Sequence, residues 1–352
     1  MKNRTCFKEM NWNLISKYRD QLFGIAILSI MIFHYSMDFN KTLNPERFLF
    51  RAIYWSDLYF SAVGVEIFAA LSGMGLYYSF SKDQNISHFY IRRIKRLLIP
   101  YLIVAIPFWY IRDIFILNRG FTRMIKDLCF VTFFTDGVTT FWYILFSIVM
   151  YALFPIIYHL LNTKKFLNTK KYRWMHFVLL IIGACTLSGC IYYLNENLYW
   201  NIYLAVTRIP VFIFGCFFAK YIKEGKTSPF IIWVLLAIFG FFIRAFLLQM
   251  QMPNFLWQYV LWFMMIGIVP FLIIILDKVL KYHWIHTTLG HVGRLSLELY
   301  MIHIAVRNLY NTLKLTMDKL GIIWVFLLVS VFALAEWLSK LTKIINLNKN
   351  KK

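Results

Sequence analysis

Charged residues are scarce in this sequence, and acidic residues are the scarcest. Of its 352 residues only 15% are charged, and the 16 Asp and Glu face 38 Lys and Arg. The composition is instead 60% hydrophobic and 20% aromatic, which is far from that of an ordinary soluble domain. This balance excludes a soluble globular protein and indicates an integral membrane protein.

Cysteine is also rare, and its five residues lack the spacing of metal ligands. Neither a disulfide framework nor a metal site is therefore predicted. The net charge of +22 is typical of many nucleic-acid-binding proteins, but here the basic residues form short clusters between apolar segments and not one continuous face. We expect contact with membrane lipid and no nucleic-acid partner.

Ten apolar segments are long enough to cross about 30 Å of hydrocarbon, at roughly 20 residues each. They lie near residues 22–39, 58–80, 97–117, 141–161, 175–194, 202–222, 229–249, 255–277, 295–311 and 321–341. A further apolar run around 128–134 is too short to span. The predicted fold is therefore all-α, a polytopic membrane helical bundle of about ten transmembrane helices. With no repeat and no linker rich in Pro, Gly or Ser, residues 1–352 are expected to form one domain.

The basic clusters alternate along the chain with loops that are poor in basic residues. Residues 195–201 and 250–254 carry none, whereas 92–96 and 164–173 are rich in them. Because cytoplasmic loops carry the excess of Lys and Arg, both termini and the loops near Arg93 and Lys170 are predicted to be cytoplasmic.

His34 lies near the outer end of the first apolar segment, and Asp38 follows one helical turn later on the same face. An ionisable side chain inside a bilayer costs roughly 2.5 to 3.5 kcal/mol. Such residues either line a cavity or take part in function. A histidine hydrogen-bonded between helices is the structural alternative at this stage.

Several stretches of the sequence together resemble the acyltransferase 3 family of bacterial membrane acyltransferases. They are DQLFGIAILSIMIFH (20–34), GVEIFAALSGMGL (64–76), FYIRRIKRLLIPYL (89–102), FWYILFSIVMYALFP (141–155), RIPVFIFG (208–215) and LGHVGRLSLELYMIH (289–303). The resemblance covers roughly residues 12 to 340. It implies transfer of an acyl group, commonly acetyl, from a cytoplasmic acyl-CoA to a carbohydrate hydroxyl. It also implies a location in the bacterial cytoplasmic (inner) membrane, with acetyl-CoA or another acyl-CoA as a donor substrate and no tightly bound cofactor.

One position departs from the family pattern. The family commonly has an arginine or lysine eleven positions before the first-helix histidine, and this sequence has Phe23 there. Arg19 lies one turn earlier on the same face and can reach a similar place if the helix begins early enough. We therefore include Arg19 among the candidate acyl-CoA-binding residues.

Acyl transfer to a hydroxyl needs a base that removes the proton, and a neutral imidazole suits that task. His34 is the candidate base. Either Asp38 or Glu66 is expected to orient its ring, with Glu66 placed at a similar depth in the second segment. The alternative is that Glu66 pairs with an intramembrane arginine, Arg208 or Arg244. No GxSxG motif occurs, so direct transfer is preferred to a covalent acyl-enzyme.

The resemblance places the family's arginine pair at Arg93 and Arg96, within a basic cluster at a cytoplasmic helix end. Such a cluster ordinarily anchors the helix at the membrane surface. Guanidinium groups also match phosphate oxygens, and coenzyme A carries several phosphates. Both arginines are therefore candidate acyl-CoA ligands.

Other polar or aromatic residues of the spans are candidates for contact with the acceptor sugar. Arg208 is proposed to donate hydrogen bonds, and Trp142 and Tyr143 to stack on a sugar ring, although an aromatic belt at the interface is the default for both. For Arg244 and Arg307, snorkelling to the interface is expected.

Two other function classes remain open at this stage. Ten helices with buried arginines also suit a transporter or flippase of a lipid-linked glycan or polysaccharide. A polysaccharide polymerase is the third possibility, although the extended outer loop of such enzymes is not evident. The acceptor glycan, the length of the acyl group and the oligomeric state are not predicted by the sequence.

Overall fold

The computed structural model describes residues 9–40, 63–162, 169–250, 254–279, 282–313 and 322–349. In these ranges the chain is almost entirely helical. The helices are α1 (Asn13–Lys17), α2 (Arg19–Asn40), α3 (Val63–Lys82), α4 (Ile86–Trp109), a π-helix (Tyr110–Ile116), α5 (Phe121–Leu128), α6 (Val131–Asp136), α7 (Trp142–Leu161), α8 (Thr169–Leu194), α9 (Glu196–Val206), α10 (Ile209–Lys223), α11 (Phe230–Gln249), α12 (Asn254–Val279), α13 (His283–Arg294), α14 (Ser296–Thr312) and α15 (Ile322–Lys349). Two three-residue strands, β1 (Glu9–Asn11) and β2 (Thr227–Pro229), pair antiparallel.

Eight helical segments of the described residues are long and apolar enough to cross a membrane. The all-α, polytopic bundle predicted from the sequence is thereby confirmed. The segments near 295–311 and 321–341 are helical, as α14 and α15, but are not among those eight. The count of ten spans and the cytoplasmic termini stay predictions. The apolar run at 128–134 forms no span, since α5 ends at Leu128 and α6 begins at Val131.

The contacts divide the chain into two compact units. The first comprises Met1–Asp83, Phe154–Cys190 and Val206–Arg294, and the second comprises Gln84–Leu153, Ile191–Ala205 and Leu295–Lys352. The single domain expected over residues 1–352 stays a prediction.

In the first unit, α3 is held by close backbone contacts on two sides. A Cβ at Gly215 of α10 would lie 2.0 Å from the Ala70 carbonyl oxygen, and one at Gly64 would lie 2.7 Å from the Ala26 oxygen of α2. Small residues let helix backbones approach in this way, which replaces the hydrophobic driving force that is missing in lipid. One face of α3 therefore packs on α2 and another on α10.

Arg173 of α8 also fastens the first unit together. The sequence counts it among the basic residues that set orientation, yet it is 5% exposed. Its guanidinium donates to the Leu161 carbonyl and the Asn162 side chain, both at 2.8 Å, and to the Phe217 carbonyl at 2.6 Å. Hydrogen bonds to backbone carbonyls stabilise a buried guanidinium without a carboxylate.

In the second unit, α4 is the longest continuous helical segment because it runs without a break into the π-helix. Asn85 caps its start, accepting a hydrogen bond from the His88 N–H at 3.0 Å. Two prolines lie inside α4, Pro100 and Pro107. Together α4 and the π-helix form a 31-residue segment, Ile86–Ile116. Basic residues therefore lie near both ends of one span.

Candidate functional site

The predicted site residues fall into both units. The first unit holds His34, Asp38, Glu66, Arg19 and Arg208, and the second holds Arg93, Arg96, Trp142 and Tyr143.

His34 and Asp38 lie one turn apart near the end of α2. His34 is partly exposed, whereas Asp38 is 5% exposed. The spacing of four residues places both side chains on one face of the helix. A partly exposed imidazole and a buried carboxyl group thus share one face of α2.

Glu66 pairs with Arg208 inside the first unit. The Arg208 Nε lies 3.3 Å from Glu66 Oε1, and the two residues are 4% and 1% exposed. Arg208 Nη1 also donates to Thr207 Oγ1 at 2.8 Å and to Gln258 Oε1 at 3.3 Å. Of the two interpretations of Glu66 that the sequence left open, the arginine pair is the one present.

The similar depth expected for Glu66 and His34 is wrong. Gly64 packs against Ala26 and Ile30, and the Phe68 ring lies 5.2 Å from that of Phe23, so α2 and α3 are antiparallel. These contacts set Glu66 level with the region of Ala26, and His34 lies eight residues further along α2 (34 − 26), which separates the two by about 12 Å along the axes at 1.5 Å per residue. The positions of two helix ends in the sequence do not show which of their residues lie at the same depth. The register in which the two helices pack decides it.

The face of α3 that carries Glu66 follows from the same contacts. Ala70 and Gly73, four and seven residues after Glu66, contact α10, where Phe212 and Gly215 approach them. Residues at these spacings share a helix face. Glu66 therefore points toward α10. Arg208 lies at the start of α10, in the short connection where the helical segment is interrupted after α9.

Arg244 of α11 belongs to the same buried polar region. The sequence favoured snorkelling, but its side chain is 3% exposed and interacts electrostatically with Glu66. The guanidinium group of Arg244 therefore lies inside the protein and not at the membrane interface. Gln258 of α12 is a member that the sequence reasoning missed. Its only signal was a lone amide within the apolar run of residues 255–277.

Arg19 reaches the region of Phe23, as the sequence required if it substitutes for the family's basic residue. Its guanidinium carbon lies 5.0 Å from the centre of the Phe23 ring, and its Nη2 borders Gly75 of α3. Helix α2 begins at Arg19 itself. Its role toward acyl-CoA stays a prediction.

Arg93 and Arg96 lie one turn apart on α4, Arg93 partly exposed and Arg96 exposed. Both interact electrostatically with Tyr151 of α7, and Arg93 lies 6.0 Å from the Phe89 ring. Two accessible guanidinium groups, one partly exposed and one exposed, can bind neighbouring phosphate oxygens from one helix face.

The aromatic candidates at the start of α7 differ in accessibility. Trp142 is partly exposed, whereas Tyr143 is buried, and its backbone N–H donates to the Tyr300 hydroxyl at 3.2 Å. Tyr143 thus packs the second unit, and Trp142 is the more accessible ring. His303 is fully buried, with Nδ1 2.8 Å from the Leu299 carbonyl, which suits a structural role.

One comparison with known proteins is positive. The model of the acyltransferase 3 family, described as an acyltransferase domain, matches residues 18–339. Searches of curated proteins and of solved structures found no significant match. The match covers the helices that carry every candidate residue from Arg19 to Arg208. The chain therefore belongs to the acyltransferase 3 family and is a membrane acyltransferase.

Proposed function

We propose that this protein is an O-acetyltransferase of a bacterial cytoplasmic membrane. It moves an acyl group from cytoplasmic acyl-CoA to a hydroxyl of a cell-surface glycan or of its lipid-linked precursor. The observation that carries the proposal is the pair on α2, in which a partly exposed His34 stands one turn from the 5% exposed Asp38. Family membership supports acyl transfer as the reaction.

In the proposed reaction, a neutral ring nitrogen of His34 takes the proton of the acceptor hydroxyl. The hydroxyl oxygen attacks the thioester carbonyl carbon, a C–O bond forms and the C–S bond breaks. The coenzyme A thiolate then takes the proton from the imidazolium, so that free thiol and ester form in equal amounts. Asp38 is the positioning residue that stabilises the charged ring.

The buried polar side chains that contact Arg208 are proposed to bind hydroxyl groups of the acceptor. Within the described part of the chain, Glu66 Oε2 has no hydrogen-bond partner although it is buried. A buried polar atom left unpaired costs free energy, and a hydroxyl donor would relieve that cost. Glu66 is thus assigned to the acceptor with Arg208, and Asp38 alone to His34.

Donor binding is assigned to Arg93 and Arg96, with Arg19 near Phe23 as a third cation. The acyl-CoA phosphates would accept from the two α4 guanidinium groups. Alanine at Arg93 or Arg96 is expected to raise the Km for acetyl-CoA at least tenfold, while other cytoplasmic basic clusters keep the orientation. An unchanged Km would leave these arginines as membrane anchors only.

The test measures free thiol release and ester formation by purified protein in vesicles supplied with acetyl-CoA and candidate glycans. His34→Ala is expected to abolish both, and Asp38→Asn to reduce them by a factor of about 10² to 10⁴, the range of positioned acid–base groups. His283→Ala, at an exposed histidine of α13, is the matched control. Near-full ester formation by folded His34→Ala would refute the assignment. Glycan movement without thiol release would favour the transporter.

A further inference from the structure

A second buried polar cluster lies in the second unit, where α4 passes into the π-helix. Arg112 and Asp113 belong to the π-helix, and Asp127 belongs to α5. Asp113 is 0% exposed and Asp127 is 2% exposed. π-helical turns are rare and occur often at functional sites. None of these residues takes part in the reaction proposed above.

Asp127 is fully satisfied by its neighbours. It accepts hydrogen bonds from the Thr132 hydroxyl and from Arg123 Nε, the latter at 3.1 Å. Arg123 in turn pairs with the exposed Asp136. These bonds join α5 to α6, so this half of the cluster is structural.

Asp113 is different. Among the residues that the structure describes, neither of its carboxylate oxygens accepts a hydrogen bond from an N–H or hydroxyl donor, and Nε and Nη1 of Arg112 have no acceptor. The Asp113 carboxyl group hydrogen-bonds only to the carboxyl group of Asp127, and that bond requires a proton on one of the two. Arg112 Nη1 lies 3.7 Å from Asp113 Oδ1 and 3.9 Å from Asp127 Oδ2. Burying such groups without hydrogen bonds is costly. A ligand that supplies both a donor and an acceptor would remove this cost.

The charges of the four side chains in this cluster determine which class of ligand it can bind. An anion would be repelled by Asp113 and Asp127, and a cation by Arg112 and Arg123. A hydroxyl group donates to a carboxylate and accepts from a guanidinium at once. The Trp109 ring, 4.9 Å from the Arg112 guanidinium carbon, holds that donor in place. We propose that Arg112 and Asp113 bind neighbouring hydroxyl groups of a neutral carbohydrate.

The position of the cluster fits an acceptor site. Arg96 and Arg112 are 16 residues apart (112 − 96) on the continuous segment Ile86–Ile116, or about 24 Å at 1.5 Å per residue. The carbohydrate would thus bind at the end of the span opposite to the donor arginines. This inference rests on the proposed function in that it gives the acceptor glycan a second contact, in addition to the one proposed for Arg208 and Glu66.

The accessible edge of the cluster is the Arg112 side chain, which is 13% exposed. A carbohydrate would approach the cluster from that edge.

The test compares three aspartates of the cluster in the whole protein, purified in lipid nanodiscs. Binding of methyl glucoside, methyl glucuronide and glucosamine is measured by saturation-transfer NMR, since these probes share a ring and differ in charge. Wild type is expected to bind methyl glucoside most strongly. Asp113→Asn is expected to weaken that binding at least fivefold, and the exposed Asp136→Asn to leave it within twofold.

Thermal unfolding separates binding from structure. Without ligand, Asp113→Asn is expected to keep or raise the unfolding midpoint, whereas Asp127→Asn lowers it by several degrees. Equal glucoside binding by wild type and Asp113→Asn, preference for a charged probe, no glucoside binding, or an equal loss of stability in both variants would each overturn the proposal. Should Asp113→Asn not fold, Arg112→Lys is measured for the same fivefold loss.

Thiol release by the same proteins distinguishes this proposal from the proposed function. If His34→Ala abolishes transfer while Asp113→Asn binds glucoside normally, only the carbohydrate site is refuted. If Asp113→Asn loses glucoside binding while wild type releases no thiol, the carbohydrate site stands and acyl-CoA-dependent transfer is refuted.

Discussion

The buried ion pair between Glu66 and Arg208 joins α3 to the start of α10. Removing one partner leaves the other charge buried and uncompensated, which costs about 3 to 5 kcal/mol. Glu66→Leu and Arg208→Leu are therefore each expected to lower unfolding stability by about that amount. The double variant should recover part of the loss, because neither member of the pair is then left buried without the other. Thermal unfolding of the purified protein checks this, and strictly additive losses would contradict it.

A residue-scale contrast distinguishes the two carboxyl groups near the candidate base. Asp38 shares a helix face with His34, whereas Glu66 lies about 12 Å away along the axes by helix rise. Asp38→Asn is expected to lower kcat with little change in the Km of the glycan. Glu66→Gln is expected to raise that Km instead. Steady-state kinetics with a fixed glycan checks the split, and a reversed pattern would return Glu66 to the role of orienting His34.

At the scale of elements, the crossing of α2 and α13 depends on glycine. A Cβ at Gly293 would lie 1.8 Å from the Asp20 carbonyl oxygen, whereas nothing lies within 4 Å of a Cβ at Gly183 of α8. Gly293→Ala is therefore expected to separate the two helices and to cost several kcal/mol through strain in a packed interior. Gly183→Ala, the matched control, should be neutral or stabilising by about 0.5 to 1 kcal/mol. Equal midpoints for the two variants would contradict the packing.

The stability of the contact between α5 and α6 is expected to depend on pH. Hydrogen bonds from Thr135 and from Arg123 lower the pKa of Asp136 below its ordinary value. A group with a lowered pKa in the folded state stabilises that state above its unfolded pKa, and the contribution is lost as pH falls through the folded pKa. The protection of the α6 amides against exchange, corrected for the intrinsic pH dependence of exchange, should therefore fall below about pH 4. Asp136→Asn should remove that pH step while keeping exchange elsewhere unchanged.

At the scale of the whole molecule, the segment Ile86–Ile116 separates two basic regions. Because it is long and apolar enough to cross the membrane, its ends are expected on opposite sides. A cysteine at Lys126 should react with an impermeant reagent in intact cells, and one near Lys170 should react only after permeabilisation. The native cysteines are replaced by serine as the background. Strong labelling near Lys170 in intact cells would overturn the predicted orientation.

The class of the molecule follows from sequence alone, for a physical reason. A bilayer requires long apolar helices whose backbone groups are satisfied within each segment, so composition and segment length suffice to predict an all-α bundle. The family is likewise recognisable from local motifs such as residues 89–102 and 208–215, which the match over residues 18–339 confirms. His34, Asp38 and their shared face needed only the helical period.

Tertiary structure decided which side chains meet. The register of α3 against α2 and α10 turned Glu66 toward Arg208, and the packing of α11 buried Arg244. The cluster of Arg112, Asp113 and Asp127 joins a π-helix to a short helix 14 positions later (127 − 113). Helical periodicity specifies faces within one helix, but the depth and the partner of each face depend on how separate helices pack. That packing is the sum of many weak contacts distant in sequence, which local patterns do not encode.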